Sequence, residues 1–146
     1  MSRRLALIAL VAAVLALPCG AEFFSKKYDF VQERIIELSQ KAGDVTIQDV
    51  QFRFPGYVGP RKLEIQGRNQ AEIHVKNYGK EELLISLAVA LFDSEGNLVG
   101  CGTAGSKIAV TAPGDEESFD VTFDYVKGRL ATAKTFQLTM ETEKAR

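Results

Sequence analysis

Residues Leu83–Gly100, with the sequence LLISLAVALFDSEGNLVG, contain the pattern that decides the fold. From Ile85 to Leu91, large aliphatic side chains occupy every second position, and serine or alanine fills the positions between them. A period of two residues predicts a β-strand with one bulky, buried face. The other face is small and uncharged as far as Phe92, so we expect a neighbouring element to cover it too, as for a central strand.

A turn signal follows this strand. Asp93–Asn97 reads DSEGN, which favours a type I turn with Gly96 at a positive φ. Leu98 and Val99 then begin a return strand, so the stretch predicts a β-hairpin. The oxygen-bearing side chains of this turn also suit calcium, but the hairpin accounts for all of them.

The N-terminal end of the chain has the three parts of a secretory signal peptide. Ser2–Arg4 is basic, Leu5–Leu17 is an apolar run of 13 residues, and Cys19–Ala21 offers small residues for cleavage before Glu22. The apolar run is shorter than the roughly 20 residues of a spanning helix. We therefore predict a signal peptide over residues 1–21, a periplasmic or extracellular protein, and no integral membrane span in the mature chain.

Cys19 leaves a second interpretation open, a lipoprotein modified at that residue. Pro18 precedes it where lipoprotein signals carry a small residue, so ordinary cleavage after Ala21 is preferred. That cleavage removes two arginines and no acids, which changes the net charge from −1 to −3. An acidic domain lacks the basic surface that nucleic acids select. Cys101 remains as the single cysteine, either free or paired with another molecule, without an internal disulfide.

Between Asp29 and Ala42 the chain has a helical pattern. Apolar residues recur at i, i+4 and i+7 from Val31, and Gly43 follows as a stop signal. The sequence therefore predicts an N-terminal helical segment over residues 22–44. The helix is expected to dock on its own sheet, because its polar side mixes both charges, unlike a membrane-surface helix.

Residues 45–146 are predicted to form one β domain, since alternating apolar stretches recur at short intervals. About seven strands of this kind are typical of an antiparallel immunoglobulin-like β-sandwich. The first stretch changes phase, which predicts a bulge near Gln48 and Asp49. Besides the central hairpin, the predicted strands are Val45–Phe54, Leu63–Ile65, Ala71–Val75, Ser106–Val110, Phe119–Tyr125 and Phe136–Met140.

The segment Pro55–Arg61, PGYVGPR, is a loop by composition. Its Tyr57 lies near Arg53, Arg61 and Lys62, so the four residues form a candidate binding site for a glycan or small molecule. The alternative is a connector whose aromatic side chain closes the end of the core.

Gly100–Gly105, GCGTAG, matches the G-x-G-x-x-G motif of dinucleotide-binding proteins. That motif requires a helix to open at its end, whereas Ser106–Val110 alternates as a strand. Nucleotide binding is therefore not expected, and the glycines indicate an irregular edge strand. Cys101, within this segment, is interpreted as a small buried residue, with a reactive thiol or intermolecular disulfide as the alternatives.

The titratable residues predict no catalytic or metal site. His74 is the single histidine, lies on the polar side of its strand and has no partner that the sequence identifies. Asp120 and Asp124 could be imagined as a catalytic pair, but on a strand they stand about 13 Å apart, beyond glycosidase spacing. We expect these acids to face solvent, and we predict no enzyme activity, no metal and no cofactor.

Five short motifs resemble one family. The motifs are Val75–Gly79 (VKNYG), Val89–Asp93 (VALFD), Glu95–Val99 (EGNLV), Ala112–Gly114 (APG) and Phe119–Val121 (FDV). Together they resemble the FxLYD-type family of bacterial envelope domains. In the second motif valine stands in place of the first phenylalanine, and phenylalanine in place of tyrosine. The similarity covers about Leu63–Glu141.

This resemblance implies an immunoglobulin-like fold and an accessory module without a shared catalytic site. The prediction is an exported, non-catalytic module that binds another envelope or secreted protein, or assembles in the envelope, with pairing of edge strands as one route. A ligand-binding domain that uses the Pro55–Arg61 loop is the second hypothesis, and an enzyme with paired carboxylates is the third and least favoured.

Overall fold

The computed structural model describes residues 21–55, 68–106 and 109–146. Within these ranges the chain forms two four-stranded antiparallel sheets, which we call sheet A (order β1-β8-β5-β6) and sheet B (order β2-β3-β4-β7). The mainly β class and the sandwich are thus confirmed, with eight described strands. The elements are β1 (Glu22–Asp29), β2 (Ile35–Ala42), β3 (Val45–Arg53), β4 (Gln70–Asn77), β5 (Leu83–Phe92), β6 (Leu98–Gly105), β7 (Glu116–Thr122), the 3-10 helix η1 (Leu130–Thr132) and β8 (Thr135–Lys144).

The hairpin predicted over Leu83–Gly100 is confirmed as β5 and β6. β5 lies inside sheet A between β8 and β6, and its alternate residues from Ile85 to Leu91 are buried, because they point into the space between the two sheets. Gly96 in the connecting turn has a φ of 84°, a conformation that costs glycine little. Asp93 N donates to Asn97 O at 3.0 Å and closes the turn.

The predicted helix from Asp29 to Ala42 is wrong, because this region forms the end of β1, a short connection and β2. Two members of the supposed apolar stripe are at the surface, since Val31 is 41% and Ile35 is 63% exposed. β2 instead alternates with a period of two residues, and Leu38 and Ala42 are buried against the rest of the sandwich. Strand pairing with β3 has therefore overridden a local helical spacing.

The bulge predicted near Gln48 and Asp49 is confirmed. Ile47 pairs with Val75 and Asp49 pairs with His74, so Gln48 is the extra residue in β3. β2 is irregular at the same level, where Ser39 has a φ of 50°. The bulge explains why the buried positions of β3 change parity between Ile47 and Val50.

An aromatic cluster lies in the core, close to where β3 ends and β8 begins. The ring centroid of Phe52 lies 4.8 Å from that of Phe30 and 4.9 Å from that of Phe136. Phe54 joins Phe30 at 5.7 Å. These contacts tie β1, β3 and β8 together, so the two sheets share one core.

Two predictions concern residues that are wholly or largely outside the described ranges. The predicted signal peptide, with Cys19, covers residues 1–21, of which only Ala21 is described, and the predicted short strand Leu63–Ile65 falls within residues 56–67. No helix in the described part of the chain is long and apolar enough to cross a membrane.

Two strand predictions need correction. In Ser106–Val110 the described residues Ser106, Ala109 and Val110 are not in a strand, because the preceding glycine-containing segment itself forms β6. The strand predicted over Phe119–Tyr125 ends earlier, and Tyr125 is 95% exposed rather than buried.

Candidate functional site

Small, uncharged side chains occupy the middle of the outer face of sheet A. Lys27, whose Nζ lies 5.1 Å from the ring centroid of Phe92, borders them on one side and Glu141 on the other. The register aligns Ser25, Thr139, Ala88 and Thr103 in one row across the sheet. We call this surface the small-residue face; it consists of Ser25, Ser86, Ala88, Ala90, Cys101, Thr103, Gln137 and Thr139. The sequence predicted that an element covers this side of β5, but no described element packs over it, and Ser86 is exposed.

Side chains order one edge of the small-residue face. The hydroxyls of Ser25 and Thr139 are 2.8 Å apart, and Gln137 Nε2 donates to Ser25 Oγ at 2.8 Å. A shallow depression of about 400 Å³ lies beside them, between β5, β6 and β8. Its floor is alanine and threonine, and Glu141 contributes the single charge to its lining. An uncharged surface could therefore cover the small-residue face without burying an ion, as long as Glu141 at the rim of the depression stays in contact with water.

The glycines of β6 have structural roles. A side chain on Gly102 would overlap the carbonyl oxygen of Thr122 in β7, and one on Gly105 would come within 2.7 Å of Ile85 O. β6 must therefore be small where it approaches β7 and β5. The G-x-G-x-x-G match has this packing origin, since the motif lies within a strand rather than at the start of a helix.

Cys101 is exposed and makes no disulfide. The interpretation as a small buried residue is therefore wrong. The cause is parity: Cys101 pairs with Ala90, whose side chain also points to the outer face of sheet A. Its thiol thus lies on the small-residue face.

The outer face of sheet B carries charged and polar side chains that bind one another. Arg53 donates to Glu72 at 3.0 Å, and Lys76 donates to Glu116 at 2.8 Å. Ser118 donates to Glu72 at 3.4 Å. We call this surface the charged face; it consists of Asp49, Gln51, Arg53, Glu72, His74, Lys76, Glu116, Ser118 and Asp120.

His74 has partners that the sequence did not identify. Its Nδ1 lies 2.6 Å from Oδ1 of Asp49, and its Nε2 lies 3.6 Å from Oε1 of Glu72. The hydrogen bond with Asp49 raises the pKa of His74, although burial acts in the opposite direction. Register explains the contact: the bulge at Gln48 sets Asp49 directly opposite His74. Protonation of His74 therefore strengthens an ion pair within the charged face.

Of the four residues of the predicted loop site, only Arg53 lies within the described ranges. Tyr57, Arg61 and Lys62 lie outside the described ranges, so that site stays a prediction. Arg53 is at the end of β3, where its guanidinium donates to Gln51 at 2.8 Å and to Glu72 at 3.0 Å. These bonds orient Arg53 along the charged face.

The acidic side chains also have local partners. Asp120 accepts from Gln70 Nε2 at 3.0 Å, and Asp124 accepts from Thr122 Oγ1 at 2.9 Å. Among the described residues no group of three metal-ligating side chains could hold an ion. These bonds account for the two aspartates as members of ordinary strand-surface networks.

Asp93 organises the turn in which calcium ligands were considered. The buried carboxylate accepts from the backbone N–H groups of Glu95 and Asn97, at 3.0 and 2.9 Å, and from Arg129 at 3.0 Å. The side chain of Asn97, followed by these backbone donors and Arg129, lowers the pKa of Asp93 despite burial. Asp93 therefore joins the β5–β6 turn to the segment before η1.

A second depression, of about 490 Å³, lies at the end of the sandwich opposite the β5–β6 turn. Acidic Glu22, Asp44 and Glu81 line it together with Lys80 and Lys144. Both signs of charge are present, so the lining does not select one class of ligand. Asn77, which the sequence analysis named only within the Val75–Gly79 motif, is buried near this depression, and its Nδ2 donates to the carbonyls of Glu81 and Thr111.

Comparison with protein-family models and with curated proteins found no match to this chain.

Proposed function

We propose that the chain is an exported, immunoglobulin-like module without catalytic activity, which binds another envelope or secreted protein or takes part in envelope assembly. The strand order supports the immunoglobulin-like assignment. Variable-type domains place strands B and E in one sheet and C′, C, F and G in the other. Here β4 and β7 correspond to B and E, and β6, β5 and β8 correspond to C′, C and F. β1 stands beside β8 in the position of G.

The small-residue face is the observation that carries the binding function. This face is uncharged across three neighbouring strands, from Thr139 through Ala88 to Thr103, so a partner can cover that row without desolvating a charge. Its short side chains have few rotamers to lose, so binding costs little side-chain entropy. The charged face is less suited, because a partner there must compete with existing ion pairs.

Site-specific photocrosslinking tests this proposal. A benzophenone amino acid at position 88, in the middle of the small-residue face, is expected to crosslink a partner in the host's own envelope fraction. The matched control places it at position 51, on the charged face. Excess unlabelled protein should compete with the product from position 88, and mass spectrometry identifies the partner.

Two results would contradict the proposal. If neither position gives a competable product, the protein does not act as a binding module in that fraction. If position 51 crosslinks the same protein as efficiently as position 88, the small-residue face is not the binding surface.

Export is tested separately by the intact mass of protein recovered from the host. Cleavage after Ala21 predicts a chain that starts at Glu22 without acyl mass. A chain that starts at a lipid-modified Cys19 would instead support the lipoprotein alternative.

A further inference from the structure

Three neighbouring rows of side chains cross the outer face of sheet A. The middle row runs from Ser25 on β1 to Thr103 on β6. One row flanks it on each side, and successive rows lie about 6.8 Å apart along the strands. We call these two the lysine row, which is Lys27, Gln137, Ala90 and Cys101, and the glutamate row, which is Phe23, Glu141, Ser86 and Gly105. A positive and a negative charge therefore lie on opposite sides of the middle row, at about the same distance from it.

Lys27 and Glu141 do not meet within one molecule. Lys27 pairs with Gln137, whereas Glu141 pairs with Phe23, so the two charged residues stand about 14 Å apart along the strands. The ammonium group of Lys27 instead lies 5.1 Å from the ring centroid of Phe92. Within the described ranges neither charged side chain forms an ion pair. Both are therefore available to a second molecule.

A two-fold axis along the middle row would bring the two charges together. Rotation about this axis sets a second sheet A face to face with the first and lays the lysine row of each copy over the glutamate row of the other. Gln137 then comes opposite Glu141 of the second copy, and Lys27 comes beside the same carboxylate. Gln137 has a second N–H for this contact, since one is given to Ser25. An uncharged surface must leave Glu141 in water, whereas this surface can cover it with a cation.

The apolar residues of the outer face fit the same arrangement. Phe92 comes opposite Leu84, because the two lie two rows from the middle row at opposite ends of β5. Phe23, which is 61% exposed, comes opposite the aliphatic part of Lys27. Like charges stay apart, since the two copies of Glu141 are separated by about 14 Å along the strands. The pattern is therefore complementary to itself in charge and in apolar contacts.

We propose that the small-residue face binds a second copy of this chain, in a two-fold, face-to-face dimer with reciprocal ion pairs between Lys27 and Glu141. This inference rests on the proposed binding function of that face and names its occupant. The face measures roughly 19 Å by 30 Å, so the dimer buries roughly 1,100 Å² in total, near the lower limit for a specific interface. We therefore expect a dissociable dimer with a Kd of about 10–100 µM.

A two-fold axis parallel to the strands fits the same face less well. It would place Lys27 opposite Cys101, and Glu143 opposite Leu84, because β1 would then lie over β6 and β8 over β5. Both charges would be covered by uncharged side chains, which is costly. The axis along the middle row is therefore the one that the face selects.

Sedimentation equilibrium of the purified protein at low salt measures the dimer. Lys27→Glu and Glu141→Lys each place like charges at both contacts, so we expect each variant alone to raise the dimer Kd about tenfold or more. Mixed in equal amounts, the two variants should form a heterodimer whose Kd is within about threefold of that of the unmodified dimer, because each carries the charge that the other needs. High salt should weaken the unmodified dimer.

Lys26→Glu is the matched control for charge. Lys26 is the neighbouring residue on β1, and it pairs with Leu138, whose side chain is on the inner side of sheet A. Its side chain therefore points away from the outer face, and the dimer Kd should change by less than about twofold. Amide shifts on dilution of the unmodified protein should be centred on Ala88 and Thr139 and absent at Glu72, which locates the interface without any substitution.

Three results would overturn the inference. The first is a protein that stays monomeric up to about 1 mM. The second is a mixture of Lys27→Glu and Glu141→Lys that associates no better than either variant alone, and the third is dilution shifts confined to residues outside the small-residue face. If the purified protein is a monomer while position 88 still crosslinks a different protein, only the identity of the occupant is wrong. If it is a monomer and position 88 gives no product, the proposed function is wrong as well.

Discussion

The two outer faces of the sandwich have opposite chemistry on similar scaffolds. Each belongs to a four-stranded antiparallel sheet with a buried inner face. On the charged face, Arg53, Glu72 and His74 are engaged with one another or with neighbouring side chains. On the small-residue face, the hydrogen bonds of Ser25 with Thr139 and Gln137 form the one side-chain network.

The difference indicates where each sheet can interact. Covering the charged face would remove water from its charged side chains, and this desolvation penalty opposes burial of the face. The small-residue face loses almost nothing when it is covered. The outer side chains of sheet B therefore stabilise that sheet, and the outer side of sheet A is the surface that we propose as the binding surface.

Gly102→Val should destabilise the sandwich to which both faces belong. The Cβ atom of the new side chain would overlap Thr122 O and would lie 2.9 Å from Val121 Cγ1. Overpacking of this kind costs about 3 kcal/mol of unfolding free energy. Thr103→Val, one residue further and on the outer face, should change it by less than about 0.5 kcal/mol. Urea unfolding measures both, and equal effects would contradict the close approach of β6 to β7.

Glu72→Ala should show that stability depends more on the side chains of the charged face than on those of the outer side of sheet A. Glu72 accepts from Arg53 and Ser118 and lies beside His74, so its loss should cost about 1 kcal/mol at low salt and less at high salt. Glu141→Ala, which removes the same side chain from the outer side of sheet A, should have almost no effect. Chemical unfolding at two salt concentrations compares them. A larger loss of unfolding free energy for Glu141→Ala than for Glu72→Ala would contradict the stabilising role of the charged face.

The pH dependence of stability should come from the charged face. Asp49 raises the pKa of His74 in the folded state above the unfolded value of about 6.5. Protonation therefore favours folding: the contribution is complete below about pH 6.5 and disappears as the pH rises through the higher folded pKa. His74 is more than one-third exposed, so solvent screening limits it to below about 1 kcal/mol.

His74→Gln should remove the dependence of the unfolding free energy on pH. A matched change on the small-residue face, Gln137→Ala, should leave that dependence in place. Thermal unfolding between pH 5.5 and 8.5, a range set around the ordinary histidine pKa of about 6.5, provides the measurement. A slope that survives in His74→Gln would assign the pH dependence to another group.

The smallest effect is expected at Cys101. Its exposed thiol should react fully with iodoacetamide in the folded protein, and the modification should change the unfolding free energy by less than about 0.5 kcal/mol. Peptide mapping after labelling identifies the modified residue. Protection of Cys101 until denaturant is added would mean that another element covers this part of the face.

Strong alternation allowed much of the fold to be predicted from sequence. The β5–β6 hairpin and the apolar positions of β4 and β8 follow from a period of two residues with a turn residue at Gly96. The bulge at Gln48 was also visible, because one extra residue reverses the parity of every buried position after it.

Other features depend on pairing between distant residues. Between Asp29 and Ala42 the helical and strand patterns share Leu38, and only the contact with β3 decides between them. His74 acquires Asp49 through the register of β3 and β4, and Cys101 is placed outside by its pairing with Ala90. Whether an element covers the outer side of β5, where no described element packs, likewise depends on distant parts of the chain and is not encoded by the residues of β5.

The pairing of β1 with β8 has a consequence for folding. Asp29 pairs with Thr135 and Glu22 pairs with Thr142, which are 106 and 120 positions apart. β8 also separates β1 from β5, so sheet A has a gap in its middle until the last strand arrives. Closing so long a loop is slow, and contacts of this separation are typical of slowly folding β proteins. In a chain that is still being made, β1 would therefore stay unpaired until β8 has been synthesised, and a loss of β8 would leave both β1 and β5 without that neighbour.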